Sequence, residues 1–316
     1  MKKKIRKTRK DIKYYFLFQG LKGLMFFTRI FPRKLVLWVC GKLGGLAYYL
    51  VKDARKKTIA NLTLALSKEK SEAEILEIAK KVFVNLGKNG ADVLRTQHIT
   101  DLEHWKEYVE TEGWEHFENA FNKGKGVICV TCHMGAFEML ATNMVLRGYP
   151  ASIVGTELSN KRIDDFVVNM RTSRGVEFIH RGKDTIKLIK TLKRGEVVGM
   201  LIDQDTRVKS TFADFFGIPA YTPLGAALIA LKTGAAVVPF AIRRLENDKH
   251  LISVKPEIEI VKSGDLDKDI DKYTQIFNEN LEAFIRKDLT QWVWMHERWK
   301  TRPQDVAERE REMQNE

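Results

Sequence analysis

Apolar and polar positions alternate in two different textures along this chain. Over Ser71–Arg95 the apolar residues Ile75, Ile78, Ala79, Val82, Phe83 and Leu86 recur at helical spacing. Ser71 followed three residues later by Glu74 forms a capping-box pair that opens that helix. Asp53–Leu66 carries the same periodicity, so the first ~110 residues read as helical. From Gly126 short apolar runs alternate with amphipathic stretches. Strands are expected over Val127–Cys132, Ala151–Val154, Val176–Ile179, Val197–Ile202, Ala236–Ile242 and Leu251–Ile260. Helices are expected over His133–Arg147, Lys161–Arg174, Thr185–Lys193, Pro223–Thr233 and Lys272–Lys287, with a long loop before Pro223.

This order predicts an α/β fold, a largely parallel mixed central sheet flanked by helices. The last two strands, turning at Glu246-Asn247-Asp248, add antiparallel pairing. The expected division is a basic N-terminus with membrane-associated helices over 1–52, an α/β domain with a helical lead-in over 53–303, and an acidic, disordered tail over 304–316. Two apolar stretches near the N-terminus bear on the membrane. Tyr14–Ile30 is interrupted by Gln19, Lys22 and Arg29, and Leu35–Val51 contains Lys42 and three glycines. A span needs about 20 predominantly apolar residues, so helices lying in the interface are favoured over a single short span.

Charge sharpens this picture. Lys and Arg total 54 against 41 Asp and Glu, a net +13. Residues 1–13 hold eight Lys/Arg and one Asp, directly before Tyr14-Tyr15-Phe16. Cations beside an apolar aromatic run suit an anionic membrane surface on the cytoplasmic side, and no secretory cleavage site follows an apolar run. With 44% apolar and 30% charged residues, the chain is neither disordered nor a polytopic membrane protein. Cys40, Cys129 and Cys132 form no disulfide framework, and the single C-x-x-C lies within a strand without a second pair to complete a zinc site.

In open parallel sheets the chemistry lies beyond the carboxyl ends of the strands, and two exits are polar. At the first, Cys132-His133-Met134-Gly135-Ala136-Phe137-Glu138, His133 follows the strand and Gly135 permits a tight turn. On a continuous helix His133 and Glu138 would point ~140° apart. With His133 in the turn before the helix, the Glu138 carboxylate folds against the imidazole and orients it as general base. No serine or reactive cysteine accompanies the pair, so the expected nucleophile is a hydroxyl of the substrate. At the second exit, Asp203-Gln204-Asp205 precedes a loop with Phe212, Phe215, Phe216 and Tyr221, which suits the wall of an apolar tunnel. A third segment, Gln291–Pro303, interleaves tryptophans with cations and suits a membrane interface or, alternatively, nucleic acid. His98, His104, His116, His180 and His250 lack ligand spacing and read as surface residues. Arg243 and Arg244 either face the pocket or are exposed in the hairpin.

CHMGAFE, then DQD with FADFFGIPAYTP, then LKTGAAVVPFAIRR and QWVWMHERWKTRP together resemble the lipid A biosynthesis acyltransferases, late lauroyl/myristoyl enzymes of the lysophospholipid acyltransferase superfamily. The resemblance runs from roughly residue 15 to residue 303. It implies an acyl carrier protein thioester as donor, a hydroxyl of a glycolipid (a lipid A precursor) as acceptor, and work at the cytoplasmic face of the inner membrane. No cofactor, metal or nucleic acid is implied. By position it makes His133 and Glu138 the catalytic dyad, places Asp203, Gln204 and Asp205 in a third motif, and matches Arg298, Lys300 and Arg302 to a basic C-terminal motif that binds substrate. One departure stands out: Thr156 aligns where the family carries an arginine in a Tyr-Arg-Pro-like block, so either Arg171, Arg174 or Arg181 replaces it or the acceptor differs. Alternative acceptors are a lysophospholipid or an ornithine-type lipid, and Glu at the fifth position after His133, where glycerolipid enzymes carry Asp, favours the lipid A precursor. Two other classes remain open: a non-enzymatic basic protein, and a hydrolase in which water replaces the lipid hydroxyl.

Overall fold

The computed structural model describes residues 2–158 and 160–306, with side chains from Tyr14 onward. Its elements, in order, are α1 (Lys2–Ile30), α2 (Arg33–Leu50), α3 (Lys52–Leu66), α4 (Glu72–Arg95), α5 (Leu102–Lys106), β1 (Val109–Glu112), α6 (Trp114–Phe121), β2 (Val127–Thr131), α7 (Met139–Leu146), β3 (Ala151–Gly155) and α8 (Lys161–Thr172). There follow β4 (Glu177–His180), α9 (Thr185–Lys193), β5 (Val197–Leu201), β6 (Ser210–Phe215), β7 (Ile218–Pro223), α10 (Gly225–Thr233), β8 (Ala236–Arg244), β9 (His250–Val254) and α11 (Leu266–Lys287). The 307–316 part of the expected acidic tail lies outside the described residues.

Seven strands form one sheet in the order β1-β9-β8-β2-β5-β3-β4. All neighbours pair in parallel except the β8–β9 hairpin, which is antiparallel as the sequence predicts. β2 is buried at every position, consistent with a central strand covered on both faces. One core fills the side faced by α3, α4, α10 and α11, and a second fills the side faced by α6 and α7.

The capping box is present at the start of α4: the Ser71 backbone N–H donates to Glu74 Oε2 at 2.9 Å, and Ser71 Oγ accepts from the Glu74 N–H. Along α2, Val36, Leu37, Cys40 and Tyr48 are buried against the domain. The close approach to α4 depends on glycine, because a Cβ at Gly44 would strike the Phe83 carbonyl and one at Gly87 the Cys40 carbonyl. A buried polar cluster ties this helical layer to the sheet. Asp92 of α4 accepts from Arg33 and His250 and pairs with Arg244. His250 is therefore an interior residue and not the surface histidine expected, and Arg244 is buried in the same cluster rather than exposed in the hairpin. No single described helix is long and apolar enough to cross a membrane. Arg33–Leu50 and Lys52–Leu66 meet the criterion only as a pair, bent by 88°.

Three local differences from the sequence expectation matter for the site. The helix expected from His133 begins only at Met139. The loop 203–223 contains the β6–β7 hairpin, closed by Phe216 and Gly217, both at positive φ. Strand β1 and helix α6 precede the first expected strand, and β1 extends the sheet beyond β9.

Candidate active site

The site is assembled at the carboxyl ends of β2, β3 and β5, with the chain after α11 laid across them. Residues 133–135 leave β2 as a loop because Gly135 sits at φ +58°, where a Cβ would strike the Ile242 carbonyl of β8. The same loop pairs with the C-terminal tryptophan segment: Gly135 N–H donates to the Gln291 carbonyl at 2.9 Å, and Val293 N–H donates to the His133 carbonyl at 3.1 Å. A β-bridge joins Met134 to Trp292. These contacts, not helical hydrogen bonds, fix the backbone at His133.

The carboxylate on the His133 ring belongs to Asp203. Nδ1 of His133 lies 2.7 Å from Asp203 Oδ1, and the His133 backbone N–H donates to Asp203 Oδ2 at 2.8 Å. Trp292 Nε1–H donates to the same Oδ2 at 2.7 Å. An ionised carboxylate only accepts, so Nδ1 carries a proton, and in the neutral ring the lone pair is then on Nε2. Burial by itself would raise the Asp203 carboxyl. The charge of His133 and the hydrogen bonds from its ring, its backbone and Trp292 outweigh burial and hold it down at about 2.

Glu138 does not orient the imidazole, contrary to the sequence expectation. It stands just before α7 and pairs with Arg171 of α8, whose Nε donates to Glu138 Oε2 at 2.8 Å and whose Nη2 also reaches Oε1. The reason is the loop at Gly135, which separates the His133 backbone from the helix that starts after Glu138. Burial disfavours the Arg171 cation, but the Glu138 carboxylate more than offsets this and holds the guanidinium above its usual value.

His133, Glu138 and Arg171 line a cavity of about 270 Å³. From this polar end the cavity follows β2, β3 and β5 back towards their amino ends, reaching Cys129, Ala151, Val197 and Phe240, with Met144 of α7 also in the wall. From Leu201 to Val197 this is roughly 13 Å along the strand. The wall is mostly apolar, while Thr156, Arg181, Gln204 and Thr206 join the polar end. Burial and the Asp203 charge push the Cys132 thiol well above its usual value, and burial does the same to Cys129, so neither supplies a thiolate. Among the described residues no group of His, Cys, Asp and Glu could hold a metal ion.

The other expected site residues are distributed unevenly. Gln204 lines the cavity. Asp205 accepts from the Thr301 N–H at 2.8 Å, outside the apolar cavity. Arg174 lies beside α7, donating to Thr142 Oγ1 at 3.2 Å and to the Thr96 carbonyl, and is not among the cavity-lining residues. Arg298 is fully enclosed: it donates to the Tyr221 carbonyl at 2.9 Å and Thr222 Oγ1 at 2.6 Å, and its guanidinium stacks on Phe215. The assignment of Arg298 to substrate binding is therefore corrected, because this cation fastens the β6–β7 hairpin to the C-terminal segment. Lys300 borders a separate depression with Asp205, and Arg302 is exposed.

Two aromatic expectations are also corrected. Trp292, Trp294 and Trp299 are buried, and Phe215 and Phe216 pack against them. Trp292 bonds Asp203 and the other rings pack around it, so these rings neither form a membrane interface nor line the cavity. Of the three arginines expected near Thr156, Arg171 and Arg181 reach the cavity wall, whereas Trp292 as a donor to Asp203 was not singled out by sequence. The strand exit at Ile202 pointed to Asp203, but no local pattern pairs an indole with it across 89 residues.

The family model described as bacterial lipid A biosynthesis acyltransferase matches residues 2–301. The lipid A biosynthesis lauroyltransferase of Escherichia coli (strain K12) is 30% identical over 276 residues, covering 85% of this chain and 86% of that protein. The lipid A biosynthesis palmitoleoyltransferase of the same organism is 23% identical over 92% of this chain and 93% of its own length. A phosphatidylinositol mannoside acyltransferase of Mycobacterium tuberculosis (strain CDC 1551 / Oshkosh) is 27% identical over 132 residues, 40% of this chain and 42% of its own length. With Asp203 and the segment around Trp292 meeting at one histidine and the family model spanning nearly the whole chain, the protein is an acyltransferase that belongs to the bacterial lipid A biosynthesis acyltransferase family.

Proposed function

We propose that this protein moves a fatty acyl chain from an acyl carrier protein thioester to a hydroxyl of a lipid A precursor at the cytoplasmic face of the inner membrane. The observation that carries this reading is the His133–Asp203 pair at the polar end of a mostly apolar cavity. The mostly apolar wall suits the donor's acyl chain, and the polar end leaves the mouth to the acceptor. Nε2 of His133 takes the proton of the acceptor hydroxyl as its oxygen attacks the thioester carbonyl. The tetrahedral intermediate then collapses, breaking the carbon–sulfur bond, and the departing sulfur receives the proton back from the imidazolium. Asp203 holds the ring in the productive tautomer and stabilises the imidazolium. Glu138 retains a place in the site through Arg171, which occupies the role of the arginine missing at Thr156 and positions the acceptor.

The surface of α1 and α2 supports membrane association. Phe16, Phe26, Ile30, Trp38, Leu46 and Leu50 are exposed, and clustered apolar residues of this kind mark a membrane or protein contact. Phe18 of α1 stacks edge-on against Phe166 of α8, the helix that contributes Met170 and Arg171 to the cavity wall. Helices lying in the interface would bring the mouth of the cavity to the lipid surface.

The test is acyl transfer from acyl carrier protein thioesters to three acceptors: a lipid A precursor, a lysophospholipid and an ornithine-type lipid. Mass spectrometry would identify the products. The reading expects the lipid A precursor to be acylated. Acylation of a lysophospholipid with none of the precursor would refute the acceptor assignment, and thioester hydrolysis faster than transfer at saturating acceptor would favour the hydrolase.

A further inference from the structure

Gly199 stands in the middle of β5, which lies between β2 and β3 in the sheet. Glycine weakens a strand interior, and where it occurs there it marks a bulge, a bend, or the close approach of another backbone or a ligand. No bulge is present, because the β2–β5 register runs unbroken from Val127↔Val197 to Thr131↔Leu201. Nor is the φ of Gly199 positive. Crowding does not demand glycine either. A Cβ at this position would meet Ile153 Cγ2 at 3.6 Å and the Ser152 carbonyl oxygen at 3.7 Å, both ordinary contacts. Gly155 of β3 is different, since a Cβ there would strike the Phe178 ring at 2.7 Å. What lies over Gly199 is the cavity that ends at His133, which it lines with its cross-strand neighbours Cys129 and Ile153.

Side chains alternate across a strand, so Leu201, Gly199 and Val197 face the cavity in successive rows. Rows two residues apart are separated by about 6.6 Å, and an extended hydrocarbon advances about 1.3 Å per carbon. A chain entering at the Leu201 row therefore passes Gly199 after about five carbons and reaches Val197 after about ten. We infer that Gly199 sets the length of the donor's acyl chain, because its missing side chain keeps the middle row open and admits the tail to the inner half of the cavity. A branched side chain at this position would divide the cavity in two. The inference rests on the acyl-transfer reading and narrows it to long-chain donors, those whose tails extend past the Gly199 row.

The experiment compares the full chain with Gly199→Ala and Gly199→Leu, using non-reactive S-alkyl pantetheine thioethers graded from butyl to hexadecyl. Calorimetry gives their affinities, and circular dichroism follows folding. Affinity should rise about fourfold with each methylene the cavity admits and then level off. In Gly199→Leu the plateau should come about five carbons earlier than in wild type, and in Gly199→Ala it should move less. An unmoved plateau in folded Gly199→Leu would overturn the inference, as would an equal loss of affinity at every chain length. If the leucine variant does not fold, Gly199→Val, a β-branched residue suited to a strand, is judged by the same criteria. Wild-type affinity that ignores chain length would instead refute the acyl reading of the cavity, so the two failures are distinct. Turnover should follow binding. Gly199→Leu should use a hexanoyl thioester within threefold of wild type and lose at least a hundredfold in kcat/KM for a tetradecanoyl thioester. Equal losses for both donors in a folded variant would overturn the assignment of Gly199 to chain length.

Discussion

Replacing Asp203 with asparagine leaves shape almost unchanged and removes one acceptor oxygen. In the native site three N–H groups converge on the carboxylate, from the His133 ring, the His133 backbone and Trp292. An asparagine whose oxygen serves the backbone and Trp292 must turn its NH2 towards His133 Nδ1. That nitrogen then becomes the acceptor, the ring proton moves to Nε2, and the lone pair needed by the acceptor hydroxyl is lost. The flipped amide keeps the ring tautomer but sets its NH2 against two other donors, leaving buried groups unpaired at a cost of about 1–3 kcal/mol each. The first arrangement is cheaper, so Asp203→Asn folds with the wrong tautomer. In serine-protease triads the same change lowers kcat about 10⁴-fold, corresponding to roughly 5 kcal/mol of transition-state stabilisation. We expect a loss on the order of 10³- to 10⁴-fold in single-turnover acyl transfer from a pre-bound thioester. A variant that retains native melting behaviour and transfers within tenfold of wild type would refute the assignment of Asp203 as the orienting acid.

Glu138→Gln should leave the imidazole bonded as before but loosen Arg171, raising the acceptor KM about tenfold with a smaller effect on kcat; a kcat loss matching that of Asp203→Asn would place Glu138 at the ring after all. Met144→Ala should shift preference towards longer acyl chains, since each added buried methylene contributes about 0.8 kcal/mol, close to fourfold in selectivity. An unchanged chain-length profile in an active variant would remove Met144 from the acyl-chain wall. The depressed carboxyl of Asp203 also links stability to pH. Its folded value of about 2 lies below the usual 3.8, so the stabilisation is fully present above pH 4 and is lost as pH falls towards 2. This amounts to about 2 kcal/mol. Wild type should therefore lose more stability than Asp203→Asn over that window in chemical denaturation, and parallel losses would contradict the linkage.

The sheet was legible because periodicity reports burial. β2, β3, β5 and β8 appear where apolar runs lie between turn residues, and α4 begins at the Ser71 capping box. Elements governed by distant contacts were not. Phe216-Gly217 makes a two-residue hairpin turn with a phenylalanine at positive φ, held by the Phe216 N–H donating to Glu282 of α11. No local turn chemistry announces it. β1 is four residues long and is a strand because it pairs with β9. In the site, His133, Asp203 and Glu138 were all found from strand exits and motif resemblance, but their partners were not. Spacing within CHMGAFE suggested His133–Glu138, whereas the backbone pairing of residues 133–135 with 291–293 turns the imidazole towards Asp203 and leaves Glu138 to Arg171. The tryptophans of the C-terminal segment were assigned by composition to a membrane interface, and burial behind Asp203 is a tertiary fact that composition does not carry. Burial also decides between the two uses of a cation in that segment, since Arg298 is enclosed in the hairpin anchor while Lys300 stays at the rim of an open depression.

The central claim is that His133 is the base that moves the acyl chain. Its most direct test is the single-turnover transfer rate of His133→Ala, with binding of the acyl carrier protein thioester and association with anionic vesicles measured on the same preparation. The account predicts a transfer rate at least 10³-fold below wild type, with donor binding and membrane association unchanged. Transfer within tenfold of wild type by a folded variant would contradict it.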